Sequence, residues 1–548
     1  MSAQTLEIPR RTGSRDTTAP GGTAPGTTAP GTTTPGTTAR APGVGAHRRR
    51  RRGHLLGLPA VLAVQVAMSI RLSATAFQDE ALYLDAGRQI LDSWRHGTPV
   101  SEDFGSYFSG SPYVYPPLGA LAEAAGGLGG ARLLSLVCCV LTTVLLASVS
   151  RSLFGPGAAV PGAAAFVLSG PVLFVGHFAT YDAMALMLLV GGLALGLRAG
   201  RSSSGSRAAV LALTAGFLAA GAVVTKYVSA LFVPSAVLVV LLWGCREAGS
   251  PPAAGGQARR RRLVLAAGSV AGAGLAVGSW LALTGTDQLE GLVTTTLSRR
   301  VVGPTSSVEV ACRGLAWAAP TLLVALLGVV LVGRRRPALT VLLVGSAVLP
   351  IAFQARSGEL TSLHKHVAFG LVFAAPLAGA GITAALDRWE LRDPGRPLTP
   401  RLLALPLVAV LLLAAGMRSS QQLDDAWADS RPLTDLLRTQ VRFGSGHYLV
   451  EESEVPRYYM ENLTAPWQWS GTYFLYYRQP GRKLAYTGTA AFRHALSDQY
   501  FDIVVLRFGP TADLDWKVHD ILGDQRKYRQ IARLPEPGGW TIWRRVDR

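Results

Sequence analysis

Residues 48–80 read RRRRRGHLLGLPAVLAVQVAMSIRLSATAFQDE, and the organisation of the remaining chain follows from them. Five consecutive arginines, Arg48 to Arg52, stand directly before an apolar run from Leu55 to about Ala76. An acidic pair, Asp79-Glu80, follows that run. A helix of about 20 apolar residues crosses a hydrocarbon core of roughly 30 Å. A basic flank before an apolar run also introduces signal peptides. Here no small-residue cleavage site is evident and the run is long for that purpose. We read it as an uncleaved first span.

Further runs of spanning length lie near 130–150, 157–176, 182–197, 208–225, 228–244, 263–284, 314–333, 337–354, 367–386 and 402–416. The sequence therefore predicts an all-α polytopic membrane protein with about 11 transmembrane helices. Its composition agrees, with 49% hydrophobic and only 16% charged residues among 548, and a mean hydropathy of +0.28. Fifty-three Lys and Arg against 34 Asp and Glu leave a net charge of +19. Such an excess suits a nucleic-acid binder, but soluble binders do not carry apolar runs of this length, so no nucleic-acid partner is expected. Four cysteines, two of them the adjacent Cys138 and Cys139 in an apolar run, exclude a disulfide-stapled scaffold.

Charge in alternate loops sets the orientation, because Lys and Arg accumulate on the cytoplasmic side. With the N-terminus inside, the inner segments hold 25 basic and six acidic residues, and the remainder is balanced. An odd number of spans then puts the C-terminus outside, which makes this a multi-pass plasma-membrane protein with a cytoplasmic N-terminus. Three regions result. Residues 1–54 form a tail of Thr-Ala-Pro-Gly and Thr-Thr-Pro-Gly units with nothing large to bury, expected to be disordered. Residues 55–416 form the transmembrane domain. Residues 417–548 form an extracytoplasmic α/β domain, with strands at 447–450, 502–506, 528–534 and 540–546 and helices near 431–442, 454–461 and 489–498. Glu451, Glu452 and Glu454 read as the solvated end of a strand.

The unusual residues gather on the outer side. After Asp79-Glu80, the apolar positions Leu82, Ala86, Ile90 and Trp94 recur at helical spacing, as in a helix lying along the membrane surface. Asp79 can cap that helix and Glu80 complement its dipole. Tyr113 and Tyr115, in Ser-Pro-Tyr-Val-Tyr-Pro-Pro-Leu, suit an aromatic interfacial belt beside a rigid proline connector. Asp182 opens a span, where an ionisable group is either a cap or functional. Lys226, Arg299, Arg300, His364 and Lys365 put positive charge against the topological bias. Each can snorkel to headgroups or meet a phosphate. The histidines lack a carboxylate or cysteine at ligand spacing, so no metal or other cofactor is assigned.

An Asp-Glu pair after span one, a surface helix, a Tyr-Pro-Pro-Leu segment before span two and an Asp opening span four resemble the polyprenyl-phosphate-dependent glycosyltransferases of the GT-C class. The nearest branch is family 39, which includes ArnT-like aminoarabinose transferases and protein O-mannosyltransferases. The resemblance covers about residues 55–416. It implies a GT-C-like array with a cavity facing outward, a catalytic first-loop base at Asp79 with Glu80 beside it, and Asp182 as the second acidic position. It implies, less firmly, a lipid-phosphate site drawing on Lys226, Arg299, Arg300, His364, Lys365, Tyr113 and Tyr115. The expected partners are a polyprenyl-phosphate sugar donor, membrane lipids and an envelope glycan, lipid or protein acceptor, with inversion at the anomeric carbon. The competing readings are a transporter or lipid-linked-sugar flippase, and a non-enzymatic membrane anchor for the C-terminal domain.

Overall fold

The computed structural model describes residues 44–70, 75–244, 256–296, 305–392, 399–481, 484–535 and 538–546. Residues 1–43 of the expected tail, Cys245, Arg299 and Arg300 lie outside the described residues. Fourteen helices make up the first part of the described chain. They are α1 (Val44–Ser69), α2 (Gln78–His96), α3 (Tyr115–Phe154), α4 (Ala159–Val167), α5 (Gly170–His177), α6 (Tyr181–Gly200) and α7 (Gly205–Thr225). They continue with α8 (Val233–Trp243), α9 (Gly256–Thr284), α10 (Asp287–Thr296), α11 (Ser307–Val332), α12 (Pro337–Ser357), α13 (Leu363–Arg392) and α14 (Thr399–Asp425). Helix occupies each of the eleven apolar runs, with α4 and α5 sharing one. Among the described residues, seven helices are long and apolar enough to cross a membrane, and the α4–α5 pair makes an eighth if it counts as one span. The chain is a multi-pass membrane protein.

The run at 157–176 is not one straight helix, because α4 and α5 meet at 70°. Ser169 is extended (φ −98°, ψ 138°) and Pro171 stands in the first turn of α5. A proline there starts a helix and cannot continue the one before it. The bend also lets α14 come close: a Cβ on Gly170 would lie 2.2 Å from Ser419 Oγ.

The helix after span one forms, and protein rather than open surface covers most of it. Tyr83, Leu84, Asp85, Ala86, Gly87 and Ile90 of α2 are all buried, whereas Trp94 at the end of the expected stripe is exposed. The burial comes from α3 on one side and the C-terminal domain on the other. Crossing of α2 and α3 needs Gly87, whose added Cβ would lie 2.0 Å from the carbonyl oxygen of Pro116. Pro116-Pro117 is the first turn of α3 rather than a connector, and α3 kinks at Gly126 and Gly127, the latter at φ +62°. Tyr115, expected in an interfacial belt, is fully buried. At the centre of the array stands α13, whose Phe369, Leu371, Val372, Phe373, Ala374 and Ala375 are all 1% exposed or less. A helix apolar on every side belongs inside a bundle.

The C-terminal part contains α15 (Arg431–Arg438), β1 (Tyr448–Val450), α16 (Glu454–Tyr459), β2 (Trp469–Ser470), β3 (Tyr476–Arg478) and β4 (Ala485–Thr487). It continues with α17 (Gly488–Ser497), β5 (Ile503–Leu506), α18 (Ala512–Leu522), β6 (Tyr528–Arg533) and β7 (Thr541–Arg545). Five strands form one sheet in the order β2-β1-β5-β7-β6, parallel at β2-β1-β5 and antiparallel at β5-β7-β6. Alternate side chains of β5 enter two cores, Ile503 and Val505 on one face and Val504 and Leu506 on the other. That is why Ile-Val-Val-Leu is apolar throughout. Helix α18 and strands β2 to β4 carry no comparable apolar run and were not expected.

Glu451 and Glu452 are not a solvated strand end, being 0% and 6% exposed. Glu451 accepts from the backbone N–H groups of Arg507 (2.7 Å), Gly509 (2.9 Å) and Thr511 (3.2 Å). Arg507 also donates to Glu452 at 2.9 Å. The loop after β5 brings buried backbone donors that need partners, and Glu451 supplies them, while Glu452 pairs with the Arg507 side chain.

Candidate active site

Two lysine–aspartate pairs, both with buried lysines, meet where ends of α2, α6, α7 and α13 lie on the same side of the array. Asp79 lies in the first turn of α2, after Phe77, the extended N-cap residue (φ −71°, ψ 153°). Lys365, in the first turn of α13, donates its ammonium to the Asp79 carboxylate. The lysine side chain is 2% exposed and the aspartate 26%, so only the carboxylate faces open space. Asp182, second residue of α6, accepts Lys226 Nζ at 2.6 Å, and both are buried. Lys226 directly follows α7. Burying a charge is tolerated only with a partner, and each lysine here has one carboxylate.

Aromatic rings join the two pairs. Lys365 Nζ stands 5.0 Å from the Phe77 centroid and Lys226 Nζ 4.7 Å from that of Tyr181. Both fall within cation–π range. Tyr83, one helical turn beyond Asp79, packs on Tyr181 with centroids 4.3 Å apart. Burial, then the Asp79 carboxylate, push the Tyr83 phenol well above its ordinary pKa, with Asp182 adding to the effect. Both carboxylates thus act on a single buried phenol.

Glu80 is turned away from this cluster and fully engaged elsewhere. It accepts Arg132 Nε at 2.9 Å and Nη2 at 2.8 Å, the Phe77 N–H at 2.9 Å and the Ala179 N–H at 2.7 Å. One carboxylate therefore ties the start of α2 to α3 and to the turn before α6.

The remaining expected residues have other surroundings. Tyr115 bonds Ser135 through its hydroxyl at 3.1 Å. Tyr113 stacks on Trp94 at 6.4 Å. The His364 ring is walled edge-on by Phe174 (4.5 Å) and Trp317 (5.8 Å). Asp79, Asp182, Lys226 and Lys365 thus converge, while Tyr113, Tyr115 and His364 support nearby packing. Reading the sequence missed Tyr83, Tyr181 and Arg132. Tyr83 had a usable signal in its spacing of four from Asp79. Among the described residues no three His, Cys, Asp or Glu side chains gather as metal ligands would.

Two openings among the described residues have the volume of a ligand site. An apolar groove of about 450 Å³ runs between α6, α7, α8 and α9, past Val224, Trp280 and Leu292. Trp280 donates to Ser111 Oγ at 3.1 Å, and the Ser111 N–H donates to the carbonyl of Val224, two residues before Lys226. The wall of the groove thus includes Val224, two residues before Lys226. A cavity of about 780 Å³ of mixed lining lies between the C-terminal domain and the segments at Thr305 and Thr361, with Leu360, Phe492, Thr511 and Lys517 among its walls.

A model of the dolichyl-phosphate-mannose-protein mannosyltransferase family matches residues 124–250, a segment holding Asp182 and Lys226. No curated protein sequence matches the chain. Among solved structures, ArnT from Cupriavidus metallidurans is similar in its apo state, at 16% identity and a TM-score of 0.57 over 91% of this chain and 98% of that one. Its complex with undecaprenyl phosphate gives 16% and 0.56 over 90% and 98%. The apo oligosaccharyltransferase of Archaeoglobus fulgidus gives 14% and 0.54 over 90% of this chain and 74% of that one. The overall fold is similar to that of these proteins.

Proposed function

We propose that this chain is a membrane glycosyltransferase that moves a sugar from a polyprenyl-phosphate carrier to an acceptor on the outer face of the plasma membrane. The observation that carries the reading is the Asp79–Lys365 pair: a carboxylate open on one side and bonded on the other to a buried lysine, beside a second buried lysine. An acceptor hydroxyl is a weak nucleophile, and a positioned carboxylate can take its proton as it attacks. The acceptor oxygen bonds to the anomeric carbon, the bond from that carbon to the phosphate oxygen breaks, and the electron pair leaves on the lipid phosphate. Lys365 and Lys226 are the cations for that developing charge. Asp182 holds Lys226 in position, and Glu80 supports the start of α2 without touching substrate. A single displacement of this kind inverts the anomeric centre.

The groove past Val224 offers an isoprenoid chain an apolar path, consistent with the undecaprenyl phosphate bound by the ArnT of similar fold. The cytoplasmic arginines support an inner N-terminus and an outer catalytic face. The test is to incubate membranes carrying the protein with a panel of polyprenyl-phosphate sugars and follow both released polyprenyl phosphate and glycosylated product. Stoichiometric release and product are expected for one donor. Movement of intact lipid-linked sugar across the bilayer with no covalent transfer would overturn the reading.

A further inference from the structure

The segment carrying Asp79 is held by the C-terminal domain as much as by the membrane helices. The backbone N–H of Ala76 donates to the Tyr459 hydroxyl at 2.7 Å, and the Ala76 carbonyl accepts from Trp427 Nε1 at 3.1 Å. Both backbone groups of one residue, three positions before Asp79, are thus satisfied by side chains from beyond α14. Thr75 Oγ1 accepts the Ser430 N–H at 3.0 Å, and Gln78 donates to Glu454 at 3.2 Å. The Phe77 ring meets Trp427 edge to face at 5.0 Å, with Lys365 over the same Phe77 ring.

The contact is deep. Arg457 of α16, 7% exposed at its side chain, pairs with Asp85 at 2.9 Å and with Glu102. Arg88 of α2 meets Glu461 at 3.0 Å. Extended backbone entering a helix has no ladder of its own, so its groups take the geometry that outside partners impose. From residue 75 to residue 78, every residue makes a contact with the C-terminal part of the chain.

We infer that Trp427 and Tyr459 are positioning residues for the reaction: by gripping Ala76 and Phe77 they fix where the Asp79 carboxylate stands relative to the acceptor hydroxyl. The inference rests on Asp79 being the base, and it assigns the C-terminal domain a part in the chemical step. Displacement of a reacting group by about 1 Å costs on the order of a hundredfold in rate.

The experiment is a mutant cycle in the full-length protein. Tyr459→Phe keeps its ring and deletes only the bond from the Ala76 N–H, while Trp427→Phe keeps an aromatic side chain beside Phe77 and deletes the bond to the Ala76 carbonyl. Their double variant is predicted to lose kcat by roughly a hundredfold, with the donor KM within about twofold and the thermal midpoint close to wild type. The same pair added to Asp79→Asn is predicted to cost little beyond Asp79→Asn itself, because residues acting through one group are not additive. Wild-type kcat in the double variant would overturn the inference. So would losses that multiply fully with Asp79→Asn, or a kcat loss matched by loss of folded protein. Failure of the base assignment is seen separately, as an Asp79→Asn variant that turns over normally.

Discussion

The carboxylate of Asp79 receives the ammonium of Lys365 across 286 residues of sequence, joining the first turn of α2 to the first turn of the buried α13. The lysine is enclosed and the aspartate is not. That asymmetry leaves one face of the carboxylate for a ligand, and the pair ties α2 to α13, the most buried of the seven long apolar helices. The predictions below treat this pair, the second pair beside it and the groups that hold them as separable parts.

Lys226 and Asp182 should separate stability from activity. Lys226→Met strands the buried Asp182 charge, and breaking a buried pair in this way costs about 3–5 kcal/mol. Adding Asp182→Asn removes the stranded charge. Thermal unfolding in detergent should therefore show a large loss in the single variant and recovery in the double variant. Transfer should remain lost in both, because the cation for the phosphate is gone. An active double variant would remove Lys226 from the mechanism.

Glu80 is predicted to matter for structure. Glu80→Ala deletes four accepted hydrogen bonds at once and leaves Arg132, 13% exposed, without its carboxylate. A destabilisation of about 3 kcal/mol or more is expected, read as a fall in thermal midpoint. A variant with an unchanged midpoint and no activity would instead make Glu80 a participant in the chemistry.

Much of this architecture could be read from residues alone, and the reasons divide by range. Hydropathy is local, so all eleven apolar runs are recognisable, and Ile503 to Leu506 announces a strand buried on both faces. Pairing is not local. Asp79, Asp182, Lys226 and Lys365 each stand out by charge and position, yet nothing in the sequence says that Lys365 meets Asp79 and Lys226 meets Asp182. The burial of α2 was hidden for the same reason, since Arg457 and Tyr459 reach it from the far end of the chain. Glu451 and Glu452 look like a solvated cluster until the loop after β5 folds its N–H groups onto Glu451 and the Arg507 side chain onto Glu452.

Glu452 gives the C-terminal domain a pH dependence with a definite sign. Burial, only partly offset by Arg507, raises its carboxyl from 4.5 to about 7, with Glu451 and Glu454 adding to the rise. The folded state then holds this proton more tightly than the unfolded chain does. Its contribution is fully present below about pH 4.5, is lost as pH rises towards 7, and is on the order of 3 kcal/mol. Thermal unfolding monitored on the sheet domain should fall over that window, and Glu452→Gln should flatten the slope. A midpoint that rises between pH 5 and 7 in the wild type would contradict the assignment.

The most direct measurement is the single-turnover rate of Asp79→Asn in membranes or detergent, with folding and lipid-phosphate binding verified in the same preparation. General-base catalysis contributes about 10²–10⁴-fold. The variant should therefore bind the polyprenyl-phosphate donor with near wild-type affinity and transfer its sugar at least a hundredfold more slowly. Transfer at the wild-type rate would mean that Asp79 is not the base, whatever its contact with Lys365.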